Sequence, residues 1–209
     1  MAKITLSEYD PAWPGLFTQF GSVLRQTLQP ILGDRLKRID HIGSTSVPGL
    51  AAKPIIDVMV SVADLRIGPE PEEDAEYGAP RPSGWWDDIV AGVETIGYKW
   101  SGAWCMDRRK LLFNHPEPWS GSLPHIGSNL HIRCDGEFSQ QAALLFRDQL
   151  RSDGSARKRY QDAKRELARR EWAGGVTEYA DHKSDVVWEL IRQADGCAQY
   201  GWRPGPSDA

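Results

Sequence analysis

Residues 41–60 read HIGSTSVPGLAAKPIIDVMV, and the fold of the whole chain is argued outward from them. Two apolar runs with strand composition, one ending at Ile42 and one beginning at Ile55, are separated by a Gly43-Ser44 turn and by Lys53-Pro54. The second run carries Asp57 in its interior. A strand that is partly buried gains nothing from a carboxylate unless something binds it, because an unpaired buried charge is costly. A Gly-Ser turn exposes backbone N–H groups and a hydroxyl, which are the donors a phosphate needs. The pair predicts a nucleotide site in which Gly43, Ser44 and Thr45 meet phosphate, Asp57 supplies the acid and Lys53 a nearby cation. Each has a plainer reading as well. Ser44 and Thr45 suit a turn cap, Asp57 a structural hydrogen bond and Lys53 a solvated loop.

Upstream, Asp10 as N-cap and Pro11 as first helical residue open a helix with Leu16, Phe17, Phe20, Val23, Leu24 and Leu28 on one face, closing near Pro30 to Gly33. A strand over 36–42 leads from it into the turn, and a strand over 55–62 follows. Residues 66–84 hold many Pro, Glu and Gly without periodicity, which predicts an exposed loop. A helix over 87–96 closes at Gly97, and strands follow near 98–100, 110–113 and 129–134. Between the last two, 114–128 reads as a Pro-rich loop over the sheet containing His115 and His125, with no further ligands for zinc. Three helical stripes complete the chain, over 138–150, 156–172 and 179–191.

Composition narrows the class. A chain of 209 residues with ordinary apolar and charged fractions predicts a single domain, with a sheet-containing core over 1–135 and helices over 136–195 packed on it. A net charge of −4 argues against a general nucleic-acid surface. Cys105, Cys134 and Cys197 form no paired spacing, which fits a reducing cytoplasm, and no apolar run is long enough for a membrane span or a signal peptide. Several of the nine tryptophans fall between Trp85 and Trp119, where core packing is the first reading and an aromatic-lined cleft the second.

The block GSTSVPGLAAKPIIDVMV resembles the signature of the GrpB family, whose fold is that of the nucleotidyltransferase superfamily. The likeness extends to YDPAWPGLF near the start, Gly97-Tyr98, RRKLLF, NLHIR, FRDQLR, and Tyr179 with Lys183. The resemblance implies an α+β fold: a small mixed sheet flanked by helices, with a C-terminal helical region. In nucleotidyltransferases of that fold the Gly-Ser turn holds a triphosphate. Two acids at positions i and i+2 of the next strand, with a third on a neighbouring strand, bind magnesium, because alternate strand residues share a face. Asp57 fills the first position, Met59 stands at the second, and the third falls among Asn129, His131 and Arg133. Methionine cannot ligate magnesium, so the two-metal arrangement is not expected.

Two alternatives follow. One Mg2+ bridges Asp57 and the phosphates of ATP or another nucleoside triphosphate, or side chains alone neutralise the phosphates, with Arg109 the first choice and Lys53, Lys110 and Arg133 beside it. His131 reads as an acid or base, against the plainer reading of a core histidine, and His41 as a lesser candidate for the same cleft. Tyr160, Lys164, Tyr179 and Lys183 are ordinary helix residues by spacing, but the resemblance draws Lys183 and Tyr160 towards the site and turns Arg147 of FRDQLR inward. The expected activity is nucleotidyl transfer to a small-molecule acceptor, or activation of a carboxylate. A binding module that has lost catalysis, and a partner protein in a biosynthetic pathway, are the other readings.

Overall fold

In chain order the elements are β1 (Ala2–Lys3), α1 (Trp13–Leu32), β2 (Leu36–Ile42), β3 (Ile55–Val62), α2 (Asp87–Thr95), β4 (Lys99–Gly102), β5 (Lys110–His115), β6 (Gly127–Cys134), α3 (Phe138–Ser152), α4 (Gly154–Ala168), β7 (Glu171–Trp172) and α5 (Gly175–Ala198). The computed structural model describes residues 2–65, 87–102, 110–116, 123–172, 175–198 and 203–209. The expected loop over 66–84 lies outside them, as do Arg109 and most of the Trp85 to Trp119 cluster. The architecture is α+β, a small mixed sheet flanked by helices.

Helix α1 starts at Trp13, two residues later than the Asp10-Pro11 signal implies. Asp10 caps the turn before the helix, accepting from the Ala12 N–H at 2.8 Å. Trp13, Phe17, Phe20, Leu24 and Leu28 then recur every three or four residues and are all buried, which is the stripe that a helix needs to lie on a sheet. The helix closes at Gly33, whose φ of 54° suits glycine.

The main sheet runs β2-β3-β6-β5-β4, and only the β3–β6 pair is parallel. Its register sets Asp57 opposite Asn129 and Met59 opposite His131. Side chains alternate across that pair. Ile56, Val58, Val60 and Val62, with Leu130, Ile132 and Cys134, join Phe17, Phe20, Leu24, Ile89 and Val93 in one core. Asp57, Met59 and Ser61 therefore face the other side together with Asn129, His131 and Arg133. On that side Met59 is fully buried with Ile42 and Leu144 of α3. Each large core side chain contributes about 1.5–3 kcal/mol by leaving water, so the register is firmly fixed: a slip by one residue would put Asp57 into this core.

Three sequence expectations are corrected. The second C-terminal helix stops at Ala168 rather than Trp172, and residues 171–172 instead pair antiparallel with residues 2–3. Trp172 explains the stop, because its indole N–H donates to the Leu167 carbonyl at 3.1 Å while its ring packs with Ile4 and Tyr179. His115 does not lie in a loop. It ends β5, buried beside Phe20 and Tyr98, because it continues the inward alternation of Leu111 and Phe113. The last helix is also longer than its 179–191 stripe, spanning Gly175–Ala198.

Candidate functional site

The turn after β2 is shaped by what lies above it. Gly43 has φ 69° and ψ −172°, a region that only glycine occupies readily. A Cβ there would stand 2.1 Å from Asp57 Oδ2, so the Asp57 carboxylate rests directly on the Gly43 backbone. The chain then makes a single 3-10 turn, Ser44–Ser46, in which Ser46 Oγ donates to the Gly43 carbonyl at 2.6 Å. Ser44 Oγ accepts from Lys164 Nζ of α4 at 3.0 Å.

Thr45 has a different task from the phosphate contact expected of it. It is buried, its hydroxyl donates to the Ile55 carbonyl at 3.1 Å, and its oxygen meets His41 Nε2 at 3.0 Å. Thr45 thus fastens β2 to β3, and because its one proton goes to Ile55, His41 must carry its proton on Nε2. Burial drives the His41 pKa down to about 3; Asp57 opposes this, while Arg151 and Arg147 add to it. The neutral ring stacks on Phe17 with centroids 4.8 Å apart, so His41 faces α1 and not the Asp57 side.

Asp57 is held by its strand neighbours. Asn129 Nδ2 donates to Oδ1 at 2.7 Å, and His131 Nε2 stands 3.8 Å from the same oxygen. The Arg133 guanidinium, expected on phosphate, instead donates to His131 Nδ1 at 3.4 Å and to the Ser139 carbonyl at the start of α3. An Nδ1 that accepts leaves the His131 proton on Nε2, facing the carboxylate. Burial pushes the Asp57 carboxyl up, but His131, Asn129 and Lys183 outweigh it and hold it below its ordinary range. A quarter of its side chain stays exposed, enough to receive a ligand.

Three lysines close the site from separate parts of the chain: Lys53 before β3, Lys164 on α4 and Lys183 on α5. Lys164 is buried, with Nζ 2.5 Å from the Ala51 carbonyl and 4.7 Å above the Tyr160 ring. Burial, with Lys183 and Arg165 nearby, lowers its pKa to about 7. Lys53 lies 5.8 Å from the Tyr179 ring and is lowered by burial and by Lys183, with Asp57 opposing. Lys183 is raised by Tyr160 first and then by Tyr179 and Asp57, against burial. Among the described residues none of the three is engaged in an ion pair within 4 Å. Lys53 and Lys183 bring positive charge towards the Asp57 carboxylate, while Lys164 meets Ser44.

Metal capacity is correspondingly limited. Among the described residues no group of three or more His, Cys, Asp and Glu converges, and Met59 is buried away from the site. Among the described residues a second metal ion beside Asp57 finds no carboxylate. A magnesium ion would find one carboxylate here among the described residues, Asp57, and such an ion usually keeps several of its waters.

Sequence reasoning left Lys164 as an ordinary helix residue, although Ala156, Tyr160 and Lys164 recur every four residues and all three are buried. A lysine in an apolar stripe was the available signal. Lys110 is placed on β5 opposite Arg133, and Arg109 lies outside the described residues.

Lys164 yields a pH prediction. Its folded pKa of about 7 lies below its ordinary 10.5, so between those values the unfolded chain binds a proton that the folded chain lacks, and stability rises with pH across that window. Urea unfolding at about pH 7 and about pH 9 should show the rise, and Lys164→Met should flatten it. An equal slope in both proteins would mean that Lys164 is charged in the fold.

A family model described as GrpB protein matches residues 3–193, the span that contains every residue of this site. The chain belongs to the GrpB family. A UPF0157 protein of Halalkalibacterium halodurans is 36% identical over 194 residues, 93% of this chain and 84% of that one. The crystal structure of the conserved protein GrpB from Enterococcus faecalis superposes with a TM-score of 0.63 at 26% identity, covering 90% of this chain and 98% of that one. A protein of Mycolicibacterium paratuberculosis described as dephospho-CoA kinase is 31% identical across 97% of this GrpB-family chain, which matches only 49% of that longer protein. No helix among the described residues is long and apolar enough to cross a membrane.

Proposed function

We propose that this GrpB-family chain is a nucleotide-dependent transferase or ligase acting on a small-molecule acceptor. One observation carries the reading: three lysines from three chain segments, without ion-pair partners among the described residues, gather at this turn and strand, Lys164 bonded to Ser44 Oγ at 3.0 Å and Lys53 and Lys183 within electrostatic reach of Asp57. Lysines held close together and partly withdrawn from water repel one another and oppose folding, so such a cluster is favoured when an anion occupies it. The triphosphate of a magnesium nucleotide has the charge, the acceptor oxygens and the size. On this reading Ser44, Lys53, Lys164 and Lys183 hold the phosphates and take up the charge that develops on the leaving group. Asp57 receives the magnesium that arrives with the nucleotide, and the His131 Nε2–H, with Asn129, fixes the direction of the Asp57 carboxylate.

The experiment is a thermal shift with ATP, GTP, CTP and UTP, each with magnesium. Ligand at about a hundred times its dissociation constant adds about 2.7 kcal/mol of stability, a rise of several degrees. Lys183→Met should cut that rise sharply at the same ligand concentration. No rise with any of the four would sink the nucleotide reading. A rise without turnover would favour the binding module, for which the buried Met59 in place of a second acid speaks. The half-length match to a protein described as dephospho-CoA kinase favours a further reading, a partner working beside an ATP-using enzyme.

A further inference from the structure

The free edge of β2 is covered by residues 205–209, beyond the span that the family shares. Ser207 Oγ accepts from the Ile39 N–H at 2.9 Å, the Ala209 N–H donates to the Ile39 carbonyl at 3.1 Å, and Arg38 Nη1 donates to the Gly205 carbonyl at 2.8 Å. The segment brings one carboxylate to a prepared place. Asp208 Oδ2 accepts from the His41 backbone N–H at 3.0 Å and from Arg147 Nη1 at 2.8 Å, and Oδ1 lies 3.8 Å from Arg151 Nη1. Arg147 is 3% exposed, so its guanidinium is fixed in position before any ligand arrives. Arg38, Arg147 and Arg151 face Asp40, Asp148 and Asp208. Without Asp208 this group is left with one more positive than negative charge, although Arg147 keeps Asp40 and Asp148 and Arg151 keeps the Ser46 carbonyl, and the His41 N–H loses its acceptor.

A cavity of about 450 Å3 opens beside this carboxylate, lined by Tyr9, Phe17, His41, Ser46, Arg151 and Asp208 among others. Ser46 lies two residues from Ser44, so the turn that carries the lysine-held hydroxyl also forms part of the cavity wall. The volume suits a small organic molecule with an apolar body.

The chemistry of the Asp57 side selects the kind of molecule. An alcohol or amine acceptor must lose a proton as it attacks, and the groups at hand are turned to other partners: Lys164 Nζ, with its pKa of about 7, points to Ser44 Oγ and the Ala51 carbonyl. His131 Nδ1 accepts from Arg133 and its Nε2 is protonated, and the Asp57 carboxyl lies below its ordinary range. A carboxylate attacks without giving up a proton. One of its oxygens forms a bond to the nucleotide's α-phosphorus, the bond from that phosphorus to pyrophosphate breaks, and the pyrophosphate leaves with its electron pair.

We propose that the cavity behind the Gly43–Ser46 turn is the acceptor site, that it takes a small carboxylic acid as the carboxylate, and that Asp208 is a tethered stand-in that occupies its anion subsite until the acceptor displaces it. The proposal rests on the transferase reading above for its chemistry, while the anion subsite is testable without nucleotide. In Asp208→Ala, propionate should give a saturating rise in Tm, at least about threefold larger than in the unmodified chain. Propionamide, equal in size and uncharged, should give none, and adding Arg151→Gln to Asp208→Ala should abolish most of the rise. A second measurement needs no variant: in the unmodified chain, saturating propionate should shift the backbone N–H signals of His41 and Ala209 together as the segment leaves. A rise in Asp208→Ala that propionamide matches, or no response in either experiment, would overturn the subsite. The peptide acetyl-Gly-Pro-Ser-Asp-Ala-amide forms the other arm. If it binds to Asp208→Ala and propionate does not, the groove reads chain segments and the acceptor assignment falls, whatever the nucleotide experiments give.

Discussion

Asp57→Asn is expected to lower turnover with any magnesium nucleoside triphosphate by at least about a hundredfold, or about 2.7 kcal/mol of transition-state stabilisation, while the protein stays folded. The substitution keeps the size of the side chain and an oxygen for the Asn129 N–H, so the strand pair loses little. It removes the negative charge to which the proposed function assigns the magnesium, the one carboxylate beside Asn129 and His131 among the described residues. Circular dichroism and urea unfolding would establish the fold, and single-turnover kinetics the loss. Unchanged turnover would show that Lys53, Lys164 and Lys183 neutralise the phosphates unaided, and would end the role assigned to the acid.

Gly43→Ala should cost about 3 kcal/mol of stability, because the new methyl group meets two separate penalties, strained backbone at about 1–3 kcal/mol and overpacking of similar size. The second follows from the Asp57 carboxylate, which has no room to retreat while Asn129 holds its other oxygen. A fall in the urea midpoint without a change in slope is the expected signature. A loss below about 0.5 kcal/mol would mean that the turn rearranges freely and that Asp57 is not seated on it.

The core of the fold was legible because its signals are local. Gly43-Ser44 and Lys53-Pro54 punctuate two strand-forming runs, and both strands are found over the expected residues, 36–42 and 55–62. Parity along 129–134 separated Leu130 and Ile132 from His131 for the same reason. What the sequence concealed depends on partners far along the chain. Thr45 looks like a phosphate ligand until Ile55 and His41 use its hydroxyl, and Arg133 until Ser139 and His131 engage its guanidinium. Trp172 ends α4 by reaching back to Leu167, a contact that no helical periodicity announces. The Asp208 clasp was hidden because a Pro- and Gly-rich segment has no pattern of its own and takes its extended shape from the strand edge it covers.

The parallel pairing of β3 with β6 has a bearing on synthesis. Asp57 emerges from the ribosome 72 residues before the asparagine that will hold it, and Ser44 waits 120 residues for its lysine. A nascent chain therefore carries an unescorted acid within a strand-forming run, with the edge of β3 open to any other extended polypeptide. Long-range pairings of this kind close slowly and leave such edges exposed meanwhile. The carboxylate itself is then a safeguard, since a charge in the middle of a sticky strand discourages pairing with a neighbouring chain.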